Sequence, residues 1–479
     1  MIKQIEIQLN YPFLYKWKTV KSISIITNSE ADIYFQLFQT ITTEQEAFEL
    51  LENIDGNFSV VINSDNYFLA AVDRVRSFPL LCKIEDQKIF VTDNISQCER
   101  KFIFNETAVS TFKKNYCTEG NDTLLQNWKQ LQPGEFIFIN KLTGDFSVKR
   151  YFIFRNRMPI LKMNFVELKK IYLSVFQSIL DKIGNKPIIV PLSSGYDSRC
   201  IIAILNELNA KNIFAYTYGG QNSFEKQIAK KVAQELTLNW RFIEYNNELL
   251  DSFFTEKWKN YSLNNHFFTS LPNEQDFFAL NYLQKNNLLP KNGVVLSGYL
   301  GGAFGGNRNR FDSISADEGD QQEYNFTNRG SKFIVNSIRI YEYFGLEWYM
   351  PFVASPILDY CLHISMEERY YRNGYHNFLS EAFFKPLKID FKKEGHYYQP
   401  EYFKNFLKGF LPKKIVEFIQ YKNSSNNIND PNNTNYLQRK IAKNLYGDEQ
   451  KNELTDFNKI YAEYFIRFLK GRKSSNKFF

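Results

Sequence analysis

Apolar and polar positions fall into two regimes along this chain. Up to about residue 155 the pattern is short and mostly alternating. Met1–Asn10 alternates like a strand, and Asn57–Ile62 and Tyr67–Val72 read as two strands joined by the turn-forming Asn63–Asn66. A further pair is expected across Phe78–Cys82 and Lys88–Thr92, with Ile84–Gln87 between them. Leu131–Ile139 reads as a turn opening a strand, and Tyr151–Phe154 closes the layer. This predicts a β-rich first domain over residues 1–155.

After a linker at Arg155–Pro159 the period changes. From Phe165 to Ile183 apolar residues recur at helical spacing, enough for one face to pack on a sheet. The run from Ile188 to Leu192 is a strand apolar on both faces, and it passes through Ser193, Ser194 and Gly195 into a helical pattern as far as Leu208. Asn212–Gly220 is a second buried strand ending in glycines, Ser223–Leu236 a helix with Ser223 as its cap, and Trp240–Tyr245 a third strand. Residues 246–290 read as helical and aromatic. Gly293–Gly306 is a strand running into a glycine-rich loop, and 307–330 is polar and loop-like. From 331 the chain turns helical again, with a loose polar stretch at Asn423–Asn433 and closing helices over Tyr436–Leu445 and Phe457–Leu469. Strand–helix alternation of this kind marks a parallel α/β sheet. The fold class is therefore α/β: a β-rich domain, then a parallel-sheet domain over 160–479 with a helical C-terminal part.

Totals narrow the setting. The chain has 479 residues, 44% of them hydrophobic, 17% aromatic and 23% charged, which suits a globular protein of two or three domains. The net charge of +7 is spread along the chain, so it forms no basic stripe for nucleic acid. Cys82, Cys98, Cys117, Cys200 and Cys361 are odd in number and widely spaced, which argues for reduced thiols and against a disulfide frame or a zinc site. The N-terminus lacks the apolar core of a signal peptide, and no run of about 18 apolar residues spans a membrane. A cytoplasmic location is expected. The four histidines, at 266, 363, 376 and 396, fall in no ligand spacing.

Candidate chemistry gathers at Ser193–Ser198. A strand that ends in a small-residue turn and opens a helix turns backbone N–H groups and the positive helix end to one point, which suits a phosphate. Asp197 is a hard oxygen ligand at its mouth, where a phosphate-bound Mg²⁺ would stand, and Ser198 adds a hydroxyl. Both Ser193 and Gly219 fall at carboxyl ends of strands, where ligands bind in such sheets.

The order of residues here resembles the pyrophosphate-binding SGGxDS loop of the ATP pyrophosphatase family, and the surroundings resemble its asparagine synthetase-like ligases. Asp55–Phe58, Asp73-Arg74, Phe78–Leu80 and Gln132–Gly134 occur in the order seen in the Ntn-hydrolase-like glutamine amidotransferase domain of those enzymes. The family's N-terminal nucleophilic cysteine is missing, since Met1 is followed by Ile2 and the first cysteine is Cys82. There is also no counterpart of its Asn-Gly-Glu substrate loop before Asp55. The resemblance thus implies a glutaminase-like scaffold without glutaminase chemistry.

The same resemblance implies ATP and Mg²⁺ as cofactors. Leu192, Ser193, Ser194, Gly195, Asp197, Ser198, Thr217, Gly219 and Gly298 would contact the nucleotide, with Asp197 on the metal. Glu347, in Gly345–Phe352, corresponds to the family's active-site glutamate, and Lys422, in Leu411–Lys422, to the lysine that stabilises charge on phosphorus. Several positions depart from the pattern. Ser194 replaces a glycine, Gly302 stands where a second Mg²⁺-binding Asp is expected, Tyr349 replaces an arginine, and Gln420 another. Asp312, Asp317, Glu318 or Asp320 could supply the carboxylate instead.

The implied activity is adenylation of a small-molecule carboxylate with release of pyrophosphate, then transfer to an amine or ammonia. The partners that fit are a second copy in a homodimer or a separate amidotransferase. Two other readings stand beside it. One is a catalytically degenerate relative that binds nucleotide or a partner, favoured by the departures. The other is a tRNA-modifying enzyme with the same loop, opposed by the absence of paired cysteines.

Overall fold

The structure, a computed structural model, describes residues 2–99, 101–302, 318–369, 373–391, 432–447 and 457–471. Its first part holds two packed sheets. In the six-stranded sheet the order is β10 (Phe146–Arg150), β9 (Glu135–Asn140), β5 (Tyr67–Val72), β4 (Phe58–Asn63), β3 (Ile23–Thr27) and β2 (Lys18–Val20). In the four-stranded sheet it is β1 (Gln4–Gln8), β7 (Lys88–Thr92), β6 (Leu81–Glu85) and β8 (Lys129–Gln130). Strand alternation explains the layering. Val61, Phe68, Ala70 and Ile137 face Ile89 and Val91 between the sheets. Their neighbours Val60, Leu69, Ala71 and Phe136 turn to the other face, where α1 (Ala31–Phe38) and α2 (Glu44–Asn53) contribute Phe38, Ala47 and Leu51.

The β4–β5 hairpin is as expected, but other expectations shift. Leu81–Glu85 and Lys88–Thr92 are joined at Asp86 and Gln87, both with positive φ (48° and 66°), so the turn is tighter and later than the sequence suggests. Tyr151–Phe154 is not a strand. The edge strand is Phe146–Arg150, whose half-exposed, charged composition hides it. The aromatic run packs instead: Phe154 stacks on Phe326 at 4.3 Å, and the Tyr151 hydroxyl donates to the Val72 carbonyl (2.7 Å).

The second part is built on a parallel five-stranded sheet of order β13 (Asn239–Glu244), β12 (Ile213–Gly219), β11 (Ile188–Pro191), β14 (Val294–Leu296) and β15 (Glu347–Tyr349). From β11 the chain steps outward twice, then returns to the other side of β11. The carboxyl ends of β11 and β14 therefore flank the crevice where strand order reverses, the usual ligand position in such sheets. The long helix α3 (Phe165–Ile183) starts on Asn164, whose side chain accepts from Val166 and Glu167 N–H, and buries Leu168, Tyr172, Phe176 and Ile179. Further helices used below are α4 (Tyr196–Glu207), α5 (Phe224–Glu235), α6 (Glu256–Asn265), α7 (Gln275–Lys285) and α8 (Asn373–Leu379). A π-helical stretch, Phe326–Ile334, follows a helix at Glu318–Asn325. Among the described residues no helix is long and apolar enough to cross a membrane.

A buried ion pair seals the contact between the two parts. The Arg339 guanidinium bonds Glu342 (3.3 Å) inside a cage of Tyr11, Phe78, Phe267 and Trp348 rings. Tyr11 OH and Trp348 Nε1 donate to the same carboxylate oxygen, at 3.1 and 2.8 Å. Arg74 adds a pair to Asp359 (3.0 Å).

Candidate functional site

Strand β11 delivers Leu192–Gly195 to the crevice because its own register is pinned: Leu192 N–H donates to the Tyr216 carbonyl (2.8 Å), and Thr217 Oγ1 to the Leu192 carbonyl (2.6 Å). Thr217 also accepts from Trp240 Nε1 (2.8 Å), so its hydroxyl ties three strands together. The loop then folds on its own hydroxyls. Ser193 N–H donates to Ser198 Oγ (2.9 Å), and Gly195 N–H to Ser193 Oγ (3.0 Å). Gly195 is the N-cap of α4 and brings no capping side chain. The Ser194 N–H donates to the carboxylate of Glu225, in the first turn of α5. Ser194 Oγ is buried with no hydrogen-bond partner among the described residues.

Asp197 points across the crevice to the loop after β14. Its Oδ2 accepts from Gly302 N–H (3.1 Å) and its Oδ1 from Tyr375 OH (2.9 Å), on α8. Burial pushes the Tyr375 hydroxyl far above its ordinary value, with Asp197 adding to the rise, so it stays a donor. Close approach here needs glycine. A Cβ on Gly301 would stand 2.6 Å from Asp197 Cγ, and one on Gly298 3.2 Å from Asp197 Cβ. Gly219, with φ of 140°, ends β12 at the same edge of the sheet.

The buried Arg199 braces the loop from behind. Its guanidinium donates to the carbonyls of Gly195 (3.3 Å), Ile389 (3.1 Å) and Phe391 (3.1 Å) and lies over the Tyr196 ring. Burial lowers its pKa, opposed by Tyr196, Asp390 and Glu225. Behind β12, Asp276 accepts from Tyr216 OH (2.8 Å) and from Tyr218 and Tyr299 (3.5 Å each). Burial raises it to about 6 against those hydroxyls.

Ser193, Ser194, Gly195, Asp197, Ser198, Gly219 and Gly298 are thus gathered at one edge, while Thr217 stands one layer beneath. Glu347 does not join them. It opens β15 level with Val294 and Ile188, at the amino end of the strands, and pairs with Lys186 (2.6 Å). Ser193 lies five positions beyond Ile188, about 16 Å at the usual rise per strand residue. Lys422, Gln420, Asp312 and Asp317 lie outside the described residues, as do the side chains of Glu318 and Asp320. Among the described residues no group of three or more His, Cys, Asp or Glu side chains could hold a metal ion.

Sequence reasoning passed over Glu225, Tyr375 and Arg199. Glu225 follows the recognised cap Ser223 by two residues, a place where acids favour a helix start, so it carried no distinct signal. Tyr375 belongs to no motif. In the first part, burial pushes the Cys82 thiol up to about 12 and raises those of Cys98 and Cys117 as well, which leaves them un-ionised near neutral pH.

No protein-family model matches this chain, and no curated protein matches it either. Similar solved structures include the NH3-dependent NAD synthetase of Campylobacter jejuni in complex with nitrate, at 14% identity and a TM-score of 0.26, covering 66% of this chain and 98% of that one. The U34-tRNA thiolase of Methanococcus maripaludis with its iron–sulfur cluster matches at 12% identity and a TM-score of 0.24, covering 64% and 80%. The glutamine-dependent NAD+ synthetase of Acinetobacter baumannii in complex with ADP matches at 12% and 0.19, covering 52% and 62%. Likenesses this distant decide nothing about the chemistry of the site.

Proposed function

We propose that the protein is an asparagine synthetase-like, ATP-dependent amide ligase that forms AMP and pyrophosphate. It would adenylate a carboxylate and pass the acyl group to an amine or ammonia, with no glutaminase activity of its own. The observation that carries this reading is the pairing of Asp197 with the Gly298–Gly302 loop across the β11–β14 crevice, beside a helix start that no side chain of its N-cap residue closes.

The residues suit a polyphosphate. Ser194 Oγ is a buried polar atom without a partner among the described residues, and the α4 N-terminus favours negative charge. Mg²⁺ arriving on ATP would be held through Asp197 and the phosphates, since Mg²⁺ takes one or two carboxylates and keeps several waters. Bound there, it would neutralise charge building on the phosphoryl oxygens. Asp197 is held ready by Tyr375 and Gly302, so it would need no reorientation. Ser193 and Ser198 keep the loop closed on itself and fix the position of Ser194.

Calorimetry with Mg–ATP, alongside pyrophosphate release over a panel of carboxylic acids and amines, tests the proposal. Asp197→Asn should weaken Mg–ATP binding at least about tenfold and abolish release. Equal affinity in the two proteins would remove the nucleotide from this loop.

One observation favours the catalytically degenerate reading. Glu225 already fills the Ser194 N–H, where a phosphate oxygen would sit, and its charge opposes an incoming anion. A protein that binds Mg–ATP yet releases no pyrophosphate across the panel would fit that reading.

A further inference from the structure

A cavity of about 410 Å³ opens beside Asp197 and runs beneath the N-terminus of α7. Asp197, Gly298 and Gly302 border its nucleotide end. Apolar side chains, among them Leu250, Phe278 and Phe333, form much of its wall. Glu274, 5% exposed, lines it, and among the described residues no hydrogen bond within normal geometry satisfies its buried Oε1. Burial pushes its carboxyl well above the ordinary range, opposed by the facing indole of Trp258 on α6, so it ionises once a cation lies against it. Buried carboxyls without partners are costly and rare, which makes this one a feature in need of a ligand or water. Two further charged groups border the cavity: Asp197, itself an acid, and Arg329, which is exposed and lies over the Phe333 ring (5.3 Å).

We propose that this cavity binds a primary amine carried on an apolar body, the ammonium meeting Glu274 and the carbon frame lying along Phe278, Leu250 and Phe333. Burial decides between the acids and the arginine. An ion pair sealed from water discriminates far more strongly than one at a solvated rim, so the buried acid and not the exposed arginine selects the ligand. A volume of this size suits a small molecule with one ring or a short chain. The assignment rests on the ligase reading only for its role, as the nitrogen substrate; the binding itself needs no nucleotide.

The test uses the full chain and two matched probes, 2-phenylethylamine and 3-phenylpropanoate, titrated by calorimetry with and without Mg–ATP. The amine should bind the wild type, and Glu274→Gln, which keeps shape and loses charge, should weaken it at least about tenfold. Mg–ATP affinity should be the same in both proteins. Thermal shifts of wild type with either probe give the same discrimination should the variant fail to fold. Binding of phenylpropanoate in preference to the amine would overturn the assignment, and so would failure of the amine to bind the wild type or equal amine affinity in the variant. Amine binding in a protein that ignores Mg–ATP would sink the ligase reading and leave this one standing.

Discussion

Lys332 offers a quantitative check on how the two parts of the molecule are joined. Its ammonium is buried in the π-helical stretch and donates to the carbonyls of Thr118 (2.9 Å) and Gly120 (2.7 Å), from the first part, and to Asn328 Oδ1 (3.0 Å). Among the described residues no carboxylate bonds it. Burial lowers its pKa from 10.5 to about 7, with Arg76 adding to the fall and Cys117, Glu119 and Asp122 opposing it. A base whose folded pKa is depressed costs stability at low pH, and the cost fades as pH rises from the folded value to the unfolded one. The full cost below pH 7 is about 5 kcal/mol, at about 1.4 kcal/mol per unit. Between pH 7 and 8.5 about 2 kcal/mol of that should be regained. The buried carboxyls of Asp73, Asp93 and Asp276, raised to about 6, have largely ionised below this window. Within it the five cysteines, held up by burial in the folded chain, begin to ionise in the unfolded chain and oppose the gain. Urea unfolding followed by tryptophan fluorescence should therefore show the wild type gaining about 2 kcal/mol across the window relative to Lys332→Met, in which the opposing groups are unchanged. Equal slopes in the two proteins would refute the assignment.

Two further outcomes follow from the site and the first part of the chain. Gly301→Ala places a Cβ 2.6 Å from Asp197 Cγ and 2.9 Å from Phe352 Cδ2, so it should weaken Mg–ATP binding at least about tenfold while Gly345→Ala, in open space at positive φ, should cost only stability, about 1 kcal/mol. Incubation with glutamine should release no glutamate, because the Cys82 thiol is held near 12 by burial; a glutaminase rate lost in Cys82→Ala would contradict this.

What the sequence disclosed depends on whether a residue's task is local. The β4–β5 hairpin and the β11–α4 loop are set by neighbours in sequence, an alternating pattern and a turn between them, so they could be read directly. Helix α3 likewise announces itself by period, and the structure keeps its limits at Phe165–Ile183. Helices α1 and α2 were missed because each is short and buries only a few residues, Phe38 and Leu51 among them, on a sheet that the sequence does not reveal. Glu347 shows the limit of motif likeness. Its neighbours match a pattern, yet which end of a strand a residue occupies depends on register against β14, information held in no single segment. The same holds for Tyr375 and Glu274, which reach their positions only through tertiary packing.

Charge at the loop also bears on Lys422. The Ser193–Ser198 loop has an acid on each side, Glu225 at Ser194 N–H and Asp197 across the crevice, while Arg199, braced behind it, spends its hydrogen bonds on backbone carbonyls. An anionic phosphorus centre would need more positive charge than these residues offer, beyond what Mg²⁺ supplies. Lys422 lies outside the described residues, but both chain ends that flank its segment do not. Phe391 is anchored by its carbonyl to Arg199, one turn into α4, and Asn432 lines the cavity beside Asp197. Arg199 is buried so close to the loop without facing a phosphate itself because its hydrogen bonds hold Ile389 and Phe391 against the start of α4.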